Sequence, residues 1–252
     1  MECPACGCGT PEEANFCFKC GSPLSSSPPD NTPRPITFDE KLTQLERYLP
    51  QGIADKVMRH RDKLEGERRQ VTVMFCDMQG YTPLVDRLDT EAAYQVMDQV
   101  YEILIHGVHE FGGTVNEMTG DGIMALFGAP LAIEDAPPRA LHSALAIHRQ
   151  IAAFSTQNAS LGPIRMRIGI HTGPVIVGTL GSDLKVEFKA VGDTVNLASR
   201  MEQLAAAGAT YVTAQTFKLT RHLFRFAFVG EKVVKGKPES VRVYQVLSAR
   251  QD

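Results

Sequence analysis

The order of strand-like and helix-like segments after residue 70 constrains the fold of this 252-residue chain more than any other feature. Residues 71–76 form an uncharged, β-branched run that predicts a buried strand ending at Asp77. The sequence Gly120-Asp121-Gly122 between two further apolar runs is typical of a hairpin turn. Strands are predicted over 114–118, 123–127, 165–171, 175–179 and 186–191, and helices from a cap at Thr90, over 134–154 and over 193–207. This mixture predicts an α+β fold, with a mixed but mainly antiparallel sheet and helices on one of its faces.

Four cysteines near the N-terminus predict a small metal-binding module over residues 1–24. Cys3 and Cys6 form one Cys-x2-Cys pair, Cys17 and Cys20 form a second, and a glycine follows each pair. The glycine permits a turn with positive φ, from which backbone amides can point at the thiolates. Two such pairs match the closed tetrahedral site of a structural Zn²⁺ ion, a zinc-ribbon-like arrangement. A redox dithiol or an iron site is the alternative interpretation.

Composition divides the remainder of the chain. Residues 25–35 are rich in proline and serine, which predicts a linker. Residues 36–66 carry a one-sided apolar stripe, which predicts a helical segment that packs on its neighbour or pairs with a second copy. The α+β domain is expected over residues 67–252.

Charge and hydropathy argue against two classes of partner. The formal net charge is -3, without the basic excess that nucleic-acid binding requires, so no nucleic-acid partner is expected. No apolar run approaches the roughly 20 residues of a membrane helix, and the first residues lack the pattern of a signal peptide. We therefore predict a cytoplasmic protein without a membrane partner, whose reduced cysteines favour metal binding over disulfides.

Asp77 and Asp121 are the candidate metal ligands of the α+β domain. Each alone is an ordinary turn carboxylate, but neighbouring strands would bring the two together at one end of the sheet. Two carboxylates there are able to hold two Mg²⁺ or Mn²⁺ ions, the arrangement that serves in-line displacement at phosphorus. Backbone amides of the segment containing Gly80, Tyr81 and Thr82, just before a helix, are candidates for binding phosphate oxygens.

Asn196 and Arg200 form a second constellation. They are four residues apart in a predicted helix and therefore share one helix face. An amide beside a guanidinium suits a substrate oxygen and a developing negative charge. A surface asparagine and a salt-bridged arginine would give the same pattern without a function.

Five segments in this order resemble motifs of the class III adenylate and guanylate cyclases. They are Phe75-Cys76-Asp77-Met78-Gln79-Gly80-Tyr81-Thr82, Thr119-Gly120-Asp121-Gly122, Ile168-Gly169-Ile170-His171-Thr172-Gly173, Val191-Gly192-Asp193-Thr194-Val195-Asn196-Leu197-Ala198-Ser199-Arg200 and Val234-Lys235-Gly236-Lys237. The resemblance covers residues 67–247. It implies a ferredoxin-like cyclase catalytic domain that converts a nucleoside triphosphate, GTP or ATP, to the 3′,5′-cyclic nucleotide and pyrophosphate.

The resemblance also implies roles for individual residues. Asp77 and Asp121 would bind the two metal ions, Asn196 would orient the ribose, and Arg200 would stabilise charge on the α-phosphate in the transition state. Members of the family act as dimers in which the aspartates of one chain face the Asn/Arg helix of the other. Since this chain contains both halves, the resemblance implies a homodimer with two equivalent sites at its interface.

Phosphate and base recognition are less uniform across the resemblance. Lys235, or else Lys237, would contact the terminal phosphates, and Lys185 lies near a phosphate-binding position of some members. The base-reading positions are Glu117, as in guanylate cyclases, and Lys189, which departs from the usual residues there. A carboxylate that accepts from N1–H and N2–H and a lysine that donates to O6 suit guanine. Uracil offers a similar edge, adenine would have to bind turned, and a Glu117–Lys189 pair would leave base selection weak.

The alternative function is a catalytically silent cyclase-homology domain that binds nucleotide or dimerises to regulate a partner. The unusual base-reading pair favours this alternative, whereas the intact Asp77, Asp121, Asn196 and Arg200 argue against it. A diguanylate cyclase is a further alternative, but its Gly-Gly-Asp-Glu-Phe signature is absent from the sequence.

Overall fold

The computed structural model describes residues 2–3, 5–9, 17, 19–20, 67–182, 185–234 and 240–250. The chain divides into two compact units, one within residues 1–43 and the other within residues 44–252. The predicted linker and the predicted helical segment over residues 36–66 lie outside the described residues.

An eight-stranded sheet with helices forms the larger unit. Its elements, in chain order, are β1 (Glu67–Gln79), α1 (Tyr81–Val85), α2 (Thr90–His109), β2 (Thr114–Met118), β3 (Gly122–Phe127), α3 (Ala136–Gln157), a 3₁₀ turn (Ala159–Leu161), β4 (Arg165–Ser182), β5 (Lys185–Val191), α4 (Asp193–Leu204), β6 (Thr210–Thr213), α5 (Ala214–Thr220), β7 (Phe224–Lys232) and β8 (Val241–Ala249). The strand order is β2-β3-β1-β4-β6-β8-β7, and β5 pairs with β4 outside this path. The β4–β6 pair is parallel and the other pairs are antiparallel, so the predicted mixed, mainly antiparallel sheet is confirmed.

Several element boundaries differ from the sequence predictions. β1 begins at Glu67, before the predicted start, because its first residues pair with the far end of β4. The strands predicted over 165–171 and 175–179 are one continuous strand, since Pro174 pairs in register with Gln70 and the φ of proline suits extended backbone. The α2 helix is capped by Asp89 rather than Thr90: its carboxylate accepts a hydrogen bond of 2.7 Å from the backbone nitrogen of Ala92.

The helices cover both faces of the sheet, so the prediction of helices on one face was wrong. On one face, Met74, Cys76 and Met78 of β1 belong to a buried cluster with apolar residues of α2 and α3. The alternate β1 residues Val71 and Val73 point to the opposite face, where they cluster with Ala198 of α4 and with Met124 of β3. Among the long helices of the described residues, α4 covers this second face, whereas α2 and α3 cover the first.

Two glycines permit close backbone approaches that fix the geometry near the candidate site. A Cβ at Gly169 of β4 would lie 2.6 Å from Glu202 Cα and closer still to Glu202 N, so α4 packs backbone-to-backbone on the strand. A Cβ at Gly122 would lie 2.9 Å from Asp77 Cα and closer still to the Cys76 carbonyl. These two contacts place α4 and the start of β3 against the ends of β1 and β4 that carry the polar residues.

Candidate active site

Asp77 and Asp121 lie together at one end of the sheet. Asp77 is paired across the β1–β3 ladder with Gly122, the residue after Asp121, and Met78 N donates a 3.1 Å hydrogen bond to the Asp121 carbonyl. Burial raises the pKa of Asp121, and the hydrogen bond and negative charge of Asp77 raise it further. A divalent cation would offset the unfavourable environment of the ionised Asp121 carboxylate, and carboxylate oxygens are the hard ligands that Mg²⁺ and Mn²⁺ prefer.

The turn that carries Asp121 is held by a side chain that the sequence analysis missed. The hydroxyl of Tyr101, on α2, donates a 2.5 Å hydrogen bond to the carbonyl of Gly120. Burial and the nearby Asp121 carboxylate raise the pKa of Tyr101. A tyrosine at an apolar helical position carries no sequence signal that distinguishes this role from simple core packing.

Arg167 and Glu202 also belong to the site, and neither was predicted. Arg167 stands opposite Asp77 in the β1–β4 register, and its Nη2 donates to Asp77 Oδ2. The same nitrogen lies 3.1 Å from Oε1 of Glu202, on α4. This second contact is an ion pair without hydrogen-bond alignment, because Glu202 Oε1 and Arg167 Nε have no hydrogen-bond partner among the described residues. Glu202 is almost wholly buried, with a side chain only 9% exposed.

The electrostatics of Glu202 follow from its position. Burial raises its pKa to about 7; the Arg167 charge lowers the pKa, while the Asp77 and Asp121 charges raise it. The Arg167 guanidinium therefore contacts the carboxylates of Asp77 and Glu202, and the negative charge of Asp121, in the turn before β3, also acts on it. Arg167 and Glu202 had no sequence signature beyond a charged residue within the periodic patterns of β4 and α4.

Asn196 and Arg200 lie on α4, as predicted, but in one chain they are not joined to the aspartate pair. Asn196 is exposed, and Arg200 is half-buried with its Nη1 donating a 2.6 Å hydrogen bond to Gln203 Oε1 of the same helix. Among the described residues, no hydrogen bond or ion pair joins Asn196 or Arg200 to Asp77 or Asp121. Each chain thus presents two separate groups of polar residues.

A β-bulge sets the orientation of Glu117. Val115 pairs with Ala125 and Glu117 with Met124, so Asn116 is an extra residue in β2. Ala125 and Met124 point to opposite faces of the sheet, and Glu117 therefore shares the face of Met124 and α4. Glu117 is exposed there. Lys189 pairs in register with Gly178 across the β4–β5 ladder.

The predicted phosphate-binding segment is only partly a loop. Gly80 makes the turn after β1 with φ of 76°, while Tyr81 and Thr82 already belong to α1. The Met78 amide is used by the Asp121 carbonyl and is not free for phosphate. Lys185 is the first residue of β5, and the segment with Lys235 and Lys237 lies outside the described residues.

A cleft of about 660 Å³ lies away from these residues. Its lining includes His171, Leu197, Thr213, Glu231 and Arg242. None of the predicted catalytic or metal-binding residues lines it. The carboxylates at the sheet end, rather than this cleft, therefore define the candidate active site.

The N-terminal unit brings its four predicted ligands together. The sulfur atoms of Cys3, Cys6, Cys17 and Cys20 all lie within 4.8 Å of one another, with Cys3–Cys20 and Cys6–Cys17 distances of 3.6 Å. Tetrahedral Zn–S bonds of about 2.3 Å would separate sulfurs by about 3.8 Å, so the cluster fits Zn²⁺. Gly7 has φ of 69°, as the turn requires, and the backbone amides of Cys20 and Lys19 lower the pKa of Cys17.

The fold and the polar residues define an α+β domain with paired carboxylates at adjacent strand ends and an Asn/Arg helix. A family model, the adenylate and guanylate cyclase catalytic domain, matches residues 65–248. The chain therefore belongs to the family of class III adenylate and guanylate cyclases.

Named relatives and solved structures agree with this assignment. Adenylate cyclase 1 of Rhizobium meliloti is 31% identical over 184 residues, which are 71% of this chain and 28% of the relative. An adenylate cyclase of Anabaena cylindrica is 28% identical over 221 residues, which are 81% of this chain and 43% of the relative. The chain thus spans less than half the length of either.

Two solved structures match the larger unit over nearly their whole length. The adenylyl cyclase CyaB from P. aeruginosa has a TM-score of 0.71 and 30% identity, covering 75% of this chain and 99% of its own. The guanylate cyclase domain of RhGC from Catenaria anguillulae, in complex with GTP, has a TM-score of 0.68 and 30% identity. The match covers 73% of this chain and 100% of that domain. Among the described residues of the present chain, no helix is long and apolar enough to cross a membrane.

Proposed function

We propose that this chain is a nucleotidyl cyclase that converts GTP or ATP to the 3′,5′-cyclic nucleotide and pyrophosphate. The observation that carries the proposal is the Asp77–Asp121 pair at one end of the sheet, within a domain of the cyclase family. The ribose 3′-hydroxyl attacks the α-phosphorus and pyrophosphate leaves, so positioning and charge stabilisation supply most of the catalysis.

The residues divide this work between two groups. Asp77 and Asp121 would hold two Mg²⁺ or Mn²⁺ ions, which when bound neutralise charge on the attacking and leaving oxygens. Asn196 orients the ribose and Arg200 donates to the oxygens on which negative charge develops. Gly80, Tyr81, Thr82, Lys185 and Lys235 are proposed to contact the phosphates.

We propose further that the active form is a homodimer with shared sites. The separation of the aspartate pair from Asn196 and Arg200 within one chain supports this arrangement. Mixing Asp77→Ala chains with Arg200→Ala chains should restore activity, since each mixed dimer has one site with both intact groups. With random pairing, about a quarter of the wild-type activity is expected. No recovery in verified mixed dimers would contradict the shared site.

Base selection is assigned to Glu117 and Lys189. The bulge in β2 leaves the Glu117 carboxylate exposed on the face covered by α4, where it can accept hydrogen bonds. A carboxylate acceptor beside a lysine donor favours guanine. Glu117→Lys should therefore lower the ratio of GTP to ATP turnover.

The direct test is a product assay on the purified chain. ATP, GTP, CTP and UTP are offered separately with Mg²⁺ and with Mn²⁺, and cyclic nucleotides are resolved by mass. We expect one dominant cyclic product, lost in Asp121→Ala while the fold is retained. A folded dimer that gives no product from any nucleotide with either metal would refute the proposal.

The N-terminal unit is proposed to be a structural zinc module over residues 1–24, followed by the linker and helical segment, with the catalytic domain over residues 67–252. Its clustered sulfurs support the choice of Zn²⁺. Elemental analysis should give about one zinc per chain. Iron in its place would contradict the assignment.

A further inference from the structure

The contacts of Glu202 extend the proposed metal site beyond its aspartates. Glu202 is on α4, on the buried side of the helix together with Ala198 and Met201. Its carboxylate lies 3.1 Å from Arg167 Nη2, the same nitrogen that donates to Asp77. A single guanidinium nitrogen is thus shared between a proposed metal ligand and a carboxylate of another element.

The contact of one Arg167 nitrogen with both Asp77 and Glu202 is important because Arg167 and a metal ion would compete for Asp77. Asp77 Oδ2 is occupied by the guanidinium in this structure. A cation that takes this oxygen must displace Arg167 or share the oxygen with it, and the guanidinium also repels the cation. A carboxylate at Glu202 would reduce both effects, because it attracts the guanidinium in competition with Asp77 and offsets part of its positive charge.

The unsatisfied atoms of this group support a functional role over a structural one. Glu202 Oε1 and Arg167 Nε are buried without a hydrogen-bond partner among the described residues. Leaving such groups without a hydrogen bond costs stability, and native structures rarely retain them without a reason. Movement of Arg167 from Asp77 toward Glu202 provides one, since Glu202 Oε1, now in an ion pair with Nη2 that lacks hydrogen-bond alignment, would then accept a hydrogen bond from the guanidinium.

We propose that Glu202 is a positioning residue that makes Asp77 available to a divalent cation by holding Arg167. The inference rests on the proposed two-metal site. Mutation of residues that orient metal ligands typically lowers metal affinity about 10- to 100-fold. We therefore expect Glu202→Gln to raise the Kd for Mn²⁺ about tenfold.

The test measures Mn²⁺ binding directly, by the loss of the free-ion electron paramagnetic resonance signal as protein is added, without nucleotide turnover. Wild type, Asp121→Ala, Glu202→Gln and Thr194→Val are compared as full-length chains. Thr194→Val is the matched control: it removes another buried hydrogen bond of α4, 2.7 Å from Thr194 Oγ1 to the Pro174 carbonyl, without touching Arg167. We expect Thr194→Val to bind Mn²⁺ like the wild type.

A double-mutant cycle shows whether Glu202 acts through Arg167. In an Arg167→Gln background, Glu202→Gln should change the Kd by less than about twofold, because the residue it restrains is gone. An undiminished effect would overturn the inference, as would a Kd for Glu202→Gln equal to that of the wild type. If Glu202→Gln does not fold, Glu202→Asp replaces it, with a smaller rise in Kd expected because the shortened carboxylate holds Arg167 less well.

Failure of the inference is distinct from failure of the proposed function. Wild-type protein that binds no Mn²⁺, or binding unchanged in Asp121→Ala, would refute the metal site and the inference together. Binding lost in Asp121→Ala but unaltered in Glu202→Gln would refute the inference alone.

Discussion

Replacing Gly169 with alanine should displace the helix that carries Asn196 and Arg200. The new Cβ would lie 2.6 Å from Glu202 Cα and closer still to Glu202 N, whereas an ordinary contact is about 3.4 Å, so α4 must move by at least about 1 Å. Backbone rather than a flexible side chain is the obstacle, and overpacking of this kind costs about 3 kcal/mol. For a domain of this size that corresponds to a fall in Tm of about 10 °C. A misplacement of about 1 Å also lowers the catalytic rate about 100-fold.

The assay compares Tm and kcat for Gly169→Ala and for Gly107→Ala, a matched control. A Cβ at Gly107, inside α2, would meet Cγ1 of the buried Ile147 at 2.6 Å, so this variant crowds α3 and leaves α4 untouched. Alanine favours the helix by about 1 kcal/mol at such a position, which offsets part of the crowding. We expect the control to lose some stability but to keep the kcat of the wild type, because the helix with Asn196 and Arg200 does not move. Wild-type stability and kcat in Gly169→Ala would refute the reasoning.

Three further predictions concern other described contacts. Tyr101→Phe removes the hydrogen bond to the Gly120 carbonyl, which should lower the free energy of unfolding by only about 1 kcal/mol. We expect kcat to fall about tenfold, because the turn with Asp121 loses its support. An unaltered kcat would show that this hydrogen bond does not position Asp121. Burial lowers the pKa of His148 from 6.5 to about 4, so the folded state binds fewer protons than the unfolded state. The neutral His148 therefore contributes its whole stabilisation above about pH 6.5, and the free energy of unfolding falls by about 3 kcal/mol as the pH drops toward 4. His148→Gln should reduce this acid sensitivity, measured by urea unfolding at several pH values. Cys17→Ser should abolish the zinc content while the far-ultraviolet dichroism of the cyclase domain persists; retained zinc would contradict the four-sulfur site.

Local patterns predicted the strands and helices of the cyclase domain well, because their burial is regular. Residues 71–76, the hairpin around Asp121 and the long helices each had the periodicity of their final structure. The continuous β4 strand was missed because Pro174 looks like a break locally, and only its pairing with β1 shows otherwise. The position of α4 on the second face was missed for a similar reason, since an amphipathic pattern does not state which face of a sheet the helix covers.

The candidate site was predictable only where a residue belongs to a motif. Asp77, Asp121, Asn196 and Arg200 came from strand-end and helix-spacing patterns as well as from motif resemblance, and the two aspartates, expected to converge, are neighbours in the structure. Arg167, Glu202 and Tyr101 act through contacts across 90, 35 and 19 residues of sequence, respectively, and such pairings depend on strand register and helix packing. The proposed roles of Lys189, Lys185 and Lys235 remain predictions from sequence.

The bulge at Asn116 bears on how the specificity of such a domain can diverge. Because the extra residue turns Glu117 away from the face where Val115 is buried, the residue at position 117 contributes little to the core. Substitutions at exposed positions usually alter stability by less than about 0.5 kcal/mol. Mutations at position 117 can therefore be sampled at almost no cost in folding. If Glu117 reads the base as proposed, the bulge uncouples adaptation of substrate choice from maintenance of the sheet.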